Sequence, residues 1–139
     1  MDGKRGLIKS AQRHAKFARE LLVSAPNVWL EAVIENIDFA ASIVRADLDS
    51  ARLHGLRAYD LAQCSGMAST CCACLCNLGN LYQAAGDSDR AIDYLERALA
   101  AFPSRGENIH VSLESLARVR LLQNRADECW QLLERIDAS

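Results

Sequence analysis

Apolar side chains recur along this chain at three- and four-residue intervals, the spacing of one face of an α-helix. The pattern predicts helices over 6–24, 27–45, 48–64, 68–85, 88–101, 107–123 and 126–137. In the first of these, Ile8, Ala11, Ala15, Ala18, Leu21 and Leu22 fall on one side. The clearest pair covers 68–101, where Leu75, Leu78 and Tyr82 are followed by Ala91, Leu95 and Ala98. Gly86-Asp87 divides that stretch. Glycine takes the left-handed conformation that ends one helix, and an aspartate accepts hydrogen bonds from the free N–H groups that begin the next. Phe102-Pro103 closes the second helix, because proline cannot continue it. No convincing strand pattern occurs, so the expected class is all-α.

The spacing in 68–103 is similar to that of a tetratricopeptide repeat. Leu75 stands where that family often has tryptophan, and Leu78-Gly79, Tyr82, Gly86, Ala91, Leu95, Ala98 and Pro103 fall on its other signature positions. Gly79 and Ala91 let neighbouring helices approach, while Leu75, Leu78, Tyr82 and Leu95 fill the space around them. Weaker copies flank this unit. Upstream, Ile34, Ile37 and Ala41 precede Asp47, Ala51, Gly55 and Ala58; downstream, Leu113, Leu116 and Ala117 precede Asn124, Cys129, Leu133 and Ile136. Ala51 to Ala91 is 40 residues and Ala91 to Cys129 is 38. This longer period resembles the variant found in kinesin light chains, Leu-Gly-Asn repeat adaptors and bacterial regulators. The outer copies depart from the pattern, with Asp38 at the signature glycine and Arg120 at the tyrosine, and are expected to pack less regularly.

The resemblance implies a right-handed α-solenoid of about three helical hairpins plus an N-terminal helix. One domain over 1–139 would comprise that helix at 6–24 and repeats at 27–64, 68–103 and 107–137. The first helix reads as the second half of a preceding repeat, and the last carries Trp130, Leu133 and Ile136 with no helix after it. Either the chain is part of a larger protein, or its terminal helices pack on another copy through those residues.

Composition supports helices packed on helices. The chain has 139 residues, 50% hydrophobic but only 6% aromatic, with two prolines, and prolines would interrupt long helices. Sixteen Lys+Arg against 18 Asp+Glu leave a net charge of −2, which points away from direct nucleic-acid binding. No run reaches the ~20 apolar residues of a membrane span. The charged start, with Lys9, Arg13, His14, Lys16 and Arg19 following, lacks a signal peptide's apolar stretch. A cytoplasmic location is expected, with free thiols.

Four of the six cysteines lie within 71–76. On a helix they point in different directions, so one tetrahedral metal cannot gather all four, and neither a metal nor any other cofactor is expected. Cys71 and Cys74 fall on or beside the core face, where free cysteine acts as a small hydrophobe, and Cys129 occupies a signature alanine position. Cys76 is the candidate for an exposed thiol, and a thiol-based redox or metal sensor is one alternative function.

In the resembling family, the first helix of each hairpin lines a concave groove. The implied groove positions are Cys76, Asn77, Asn80 and Gln83, between Ala73 and Ala84; their counterparts are Glu35, Asn36, Phe39 and Ser42 upstream, and Glu114, Ser115, Arg118 and Leu121 downstream. Asparagine offers both a donor and an acceptor to a peptide backbone, and Phe39 would be the aromatic anchor. Arg118 is the one cation in the set, so the family's carboxylate clamp is not reproduced. No GxSxG, GxxxxGK[ST], HExxH or Rossmann fingerprint occurs, and His14, His54 and His110 lie in separate helices, the first two expected at the surface. No enzymatic activity is expected. The expected function is a protein-interaction module that holds a peptide or helix, as a scaffold or sensory segment of a bacterial regulator. Homo-oligomerisation is the alternative, and no membrane partner is expected.

Overall fold

A computed structural model describes residues 2–101 and 107–137. They form α1 (Asp2–Leu22), α2 (Val28–Val44), α3 (Leu48–Ser65), α4 (Ala68–Ala84), α5 (Ser88–Ala101), α6 (Glu107–Leu122) and α7 (Ala126–Asp137). No strand occurs among the described residues, and the fold is an all-α helical repeat. Pro103 lies outside the described residues. The chain forms two compact units, residues 1–70 and 71–139, which are described in turn.

The three hairpins turn in one way. Ala46 after α2, Gly86 after α4 and Asn124 after α6 all have left-handed backbones, at φ 58, 80 and 58°. In each turn the next residue's N–H reaches back to a carbonyl five residues earlier: Asp47 to Ser42 at 3.0 Å, Asp87 to Tyr82 at 2.9 Å, Arg125 to Arg120 at 2.9 Å. A shorter bond inside it, from the left-handed residue itself, completes a Schellman motif. The following helix is then capped. Asp47 accepts from the Ser50 N–H and Asp87 from the Arg90 N–H, both at 3.0 Å. Hydrogen bonds from Ser50 and from Arg90 hold the two carboxyls below the usual carboxylate range.

These turns fix the register between hairpins. Ala46 and Gly86 are 40 residues apart, and Gly86 and Asn124 are 38. Counting back from the turns sets Glu35 at the position of Leu75, Phe39 at that of Gly79 and Ser42 at that of Tyr82. The alignment on Ile34, Ile37 and Ala41, which put Asp38 at the glycine, is therefore one residue out. The reason is geometric: one residue is a ~100° step, and a broad apolar face tolerates that step where a hydrogen-bonded turn does not.

In unit 1, α2 packs along α3. The α3 side is bare, with Ala51, Ala58 and Ala62 fully buried and Gly55 among them. α1 closes on α2 through Ala15, Leu22 and Ile34, with Ala18, Leu30 and Ile37 beside them. Leu21, expected on this inner side, is 53% exposed.

In unit 2 the core joins Tyr82 to Ala91 and Leu95, to Leu113, Leu116, Ala117 and Val119, and to Leu132. A Cβ on Gly79 would stand 2.6 Å from Leu95 Cγ and 3.3 Å from the Ala91 carbonyl, so only glycine fits this crossing. Tyr82 stacks on Tyr94, with ring centroids 5.4 Å apart and planes 6° apart. The Arg90 guanidinium lies 4.7 Å from the Tyr82 ring centre, and that of Arg97 lies 5.0 Å from Tyr94, each a cation–π contact. Arg120, at the equivalent of Tyr82, is held by ion pairs with Glu128 at 3.1 Å and Glu96 at 3.6 Å, and it donates to the Gln123 amide oxygen at 3.2 Å. It thereby ties α6 to α5 and α7.

Candidate functional site

Cys72 and Cys76 sit deeper than the helical wheel implied, and Cys71, expected on the core face, sits shallower. Cys72, Cys74 and Cys76 are 1%, 0% and 5% exposed, and Cys71 is half-buried. The expectation of an exposed Cys76 is thus corrected. α4 is covered on two sides, since Cys72 donates to the Ala98 carbonyl of α5 at 3.7 Å and Cys76 Sγ lies 2.9 Å from Ser112 Oγ of α6. A helix flanked on two sides has a dry face wider than one apolar stripe. The hydrogen bond from Cys72 draws Cys76 down to about 7 against its burial, with Ser112 assisting. The same bond, with burial, pushes Cys72 up. Among the described residues no group of three His, Cys, Asp or Glu could hold a metal ion.

The Cys76–Ser112 contact lays α6 beside α4. Next to the seam, α4 presents Asn77, Asn80 and Gln83, all half-buried, and α6 presents the exposed Arg118. Glu114, also exposed, pairs with Arg118 at 3.4 Å. The 38-residue step also carries Ala73 and Ala84 onto Val111 and Leu122, which are 47% and 69% exposed. Sequence reasoning named both alanines without following the step to these two side chains. Ser115 is buried, and its hydroxyl has no hydrogen-bond partner.

Three expected groove residues in unit 1 face inward instead. Phe39 and Glu35 are 7% exposed and Ser42 is fully buried, because the corrected register gives them the inner positions of Gly79, Leu75 and Tyr82. Asn36 is half-buried. Glu35 accepts from Arg19 at 3.4 Å, pairs with His54 Nδ1 at 2.7 Å and lies 3.6 Å from Arg57 Nε. Arg19 also pairs with Asp38. Glu35 is therefore a strut joining α1, α2 and α3, and its carboxylate is occupied. His54, expected at the surface, is half-buried in this cluster, while His14 and His110 are exposed. A cleft of ≈ 300 Å³ opens beside it, walled by Leu22, Val23 and Ile34.

On α7, Trp130 is 67% exposed. Leu133 and Ile136, expected beside it, are half-buried against the unit's own core, about 60° and 120° round the helix from Trp130.

Residues 72–105 match the family model described as Tetratricopeptide repeat. The match supports that family for the α4–α5 hairpin. Tetratricopeptide repeats are in general protein-interaction modules. No curated protein matches the chain. Among the described residues no helix is long and apolar enough to cross a membrane.

Proposed function

We propose that the chain is a protein-interaction module that takes an extended peptide or a helix along the α4–α6 seam of unit 2. One observation carries this reading. The half-buried amides Asn77 and Asn80 stand on α4, and Arg118 with the exposed apolar Val111 and Leu122 stands on α6, the helix that the Cys76–Ser112 contact holds against it. Amides supply donor and acceptor together, and their partial burial limits the rotamer entropy lost on binding. Val111 and Leu122 offer apolar anchors at either end, and Arg118 reads an acidic side chain between them. The repeat match and the 40- and 38-residue spacing of the turns favour a longer-period repeat acting as a cytoplasmic scaffold or as the sensory segment of a larger regulator. Binding rather than catalysis is its task.

A displayed library of random peptides, panned on the chain, tests the reading. Selected peptides should lose about tenfold or more in affinity on Asn80→Ala or Leu122→Ala, roughly 1.4 kcal/mol or more. They should be indifferent to Leu53→Ala on α3. Selected peptides that bind both seam variants as tightly as wild type would reject it.

A further inference from the structure

The outer faces of α1 and α7 are complementary to one another, and this goes beyond the seam. On α1, Leu7, Phe17 and Leu21 are 72%, 61% and 53% exposed. At ~100° per residue they fall, with His14, within a stripe ~80° wide. Beyond one edge of it lie the exposed Arg13, Lys9 and Lys16, Arg13 nearest, with the exposed Glu20 among them, which leaves that side basic on balance. On α7, the same stepping sets Asp127, Glu134 and Asp137 around Trp130, and all four are exposed. One face is thus an apolar stripe with a basic edge, the other an aromatic ring with an acidic surround. Exposed apolar surface rimmed by charge marks an interaction site.

We propose that α1 of one copy of this chain docks on α7 of a second copy, head to tail. Trp130 lies against the Leu7–Phe17–Leu21 stripe, and the carboxylates of Asp127 and Glu134 meet Lys9, Arg13 and Lys16. Charge decides the pairing. Two α7 faces brought together oppose acid to acid, and two α1 faces oppose base to base, so symmetric pairs are disfavoured and the unlike pair is favoured. Such an interface joins two different patches, so copies associate through unlike faces, in a closed ring or an open chain.

Sedimentation velocity of the chain over a dilution series tests this. The wild-type chain should self-associate increasingly as concentration rises. Roughly 1 M salt, where screening acts within about 3 Å, should weaken assembly several-fold. Phe17→Glu and Trp130→Glu should each sediment as a monomer with unchanged helical circular dichroism, both positions being exposed. Mixed together, the two variants should form a species of two copies and no more, since each retains the face the other lacks. If either variant loses its helical signal, Leu21→Glu replaces Phe17→Glu and Trp130→Ser replaces Trp130→Glu, with the same expected outcome. A wild-type chain that stays monomeric at every concentration overturns the proposal. So does a single variant that still dimerises, which marks a symmetric interface, or a variant mixture that stays monomeric.

Discussion

In the α4–α5 hairpin a glycine, Gly79, makes room for Leu95, whose Cγ would lie 2.6 Å from any Cβ placed there. Forty residues earlier, at the same distance from the same kind of turn, the α2–α3 hairpin has Phe39 and Gly55 in those two places. Large and small have changed sides. The crossing needs one bulky and one bare position, and either helix can supply either. Glu35 and Leu75 show a second exchange. The leucine fills unit 2 as an apolar side chain at 3% exposure, while the glutamate at 7% sits against Arg19, His54 and Arg57. A buried carboxylate is tolerable only when so paired. A family pattern written in apolar residues therefore finds 72–105, and the hairpin with the same turn but inverted chemistry falls outside the match.

The largest effect should come from removing the bulky member of the inverted crossing. Phe39→Ala should cost about 3–5 kcal/mol, as for a buried aromatic truncated to alanine. Phe39→Gly combined with Gly55→Leu, which recreates the arrangement of unit 2, should recover part of the loss of Phe39→Gly alone. A coupling of about 0.5–3 kcal/mol is expected from a double-mutant cycle in urea. Strict additivity would show that the two positions are not exchanged partners.

Next in size is the ionic strut. Glu35→Ala should cost about 1–3 kcal/mol through lost charge-assisted hydrogen bonds, and Glu35→Leu, which copies Leu75, should cost less. Equal losses in the urea midpoint for both variants would mean that pairing alone, and not side-chain volume, holds the position.

The smallest effect concerns the two caps that the hairpins share. Asp47 and Asp87 are held below the usual carboxylate range in the folded chain. Their contribution is complete above the unfolded carboxylate value of about 3.9 and is lost as pH falls through the lower folded value. Stability should therefore drop on acidification. Asp47→Asn with Asp87→Asn, which keeps a capping side chain but removes the titration, should flatten that slope in pH-dependent urea melts. An unchanged slope would assign the acid sensitivity to other carboxylates.

The helices were legible from periodicity, and six of the seven predicted spans start within one residue of the observed ones. α1 begins earlier, at Asp2. The turn at Gly86-Asp87 was legible because glycine and aspartate advertise their backbone roles. The equivalent turn at Ala46 is closed by an alanine at φ 58°, which advertises nothing, and so the register upstream was read one residue out. That single slip moved Glu35 and Phe39 from the inner face to an imagined groove. The burial of Cys76 was illegible for another reason: a wheel records one helix, and the second surface covering α4 comes from Ser112, 36 residues away.

Local physics was thus enough to specify which segments are helical, where the central hairpin turns and that small residues line its crossing, because each depends on neighbours within a few positions. Contacts between distant helices decided the rest. They settled which face of each helix is dry, that Glu35 is a strut, that Leu133 and Ile136 belong to a core while Trp130 faces outward, and that Val111 and Leu122 stay exposed. A helical side chain's burial depends on what packs over it, and that partner lies beyond the reach of any local pattern.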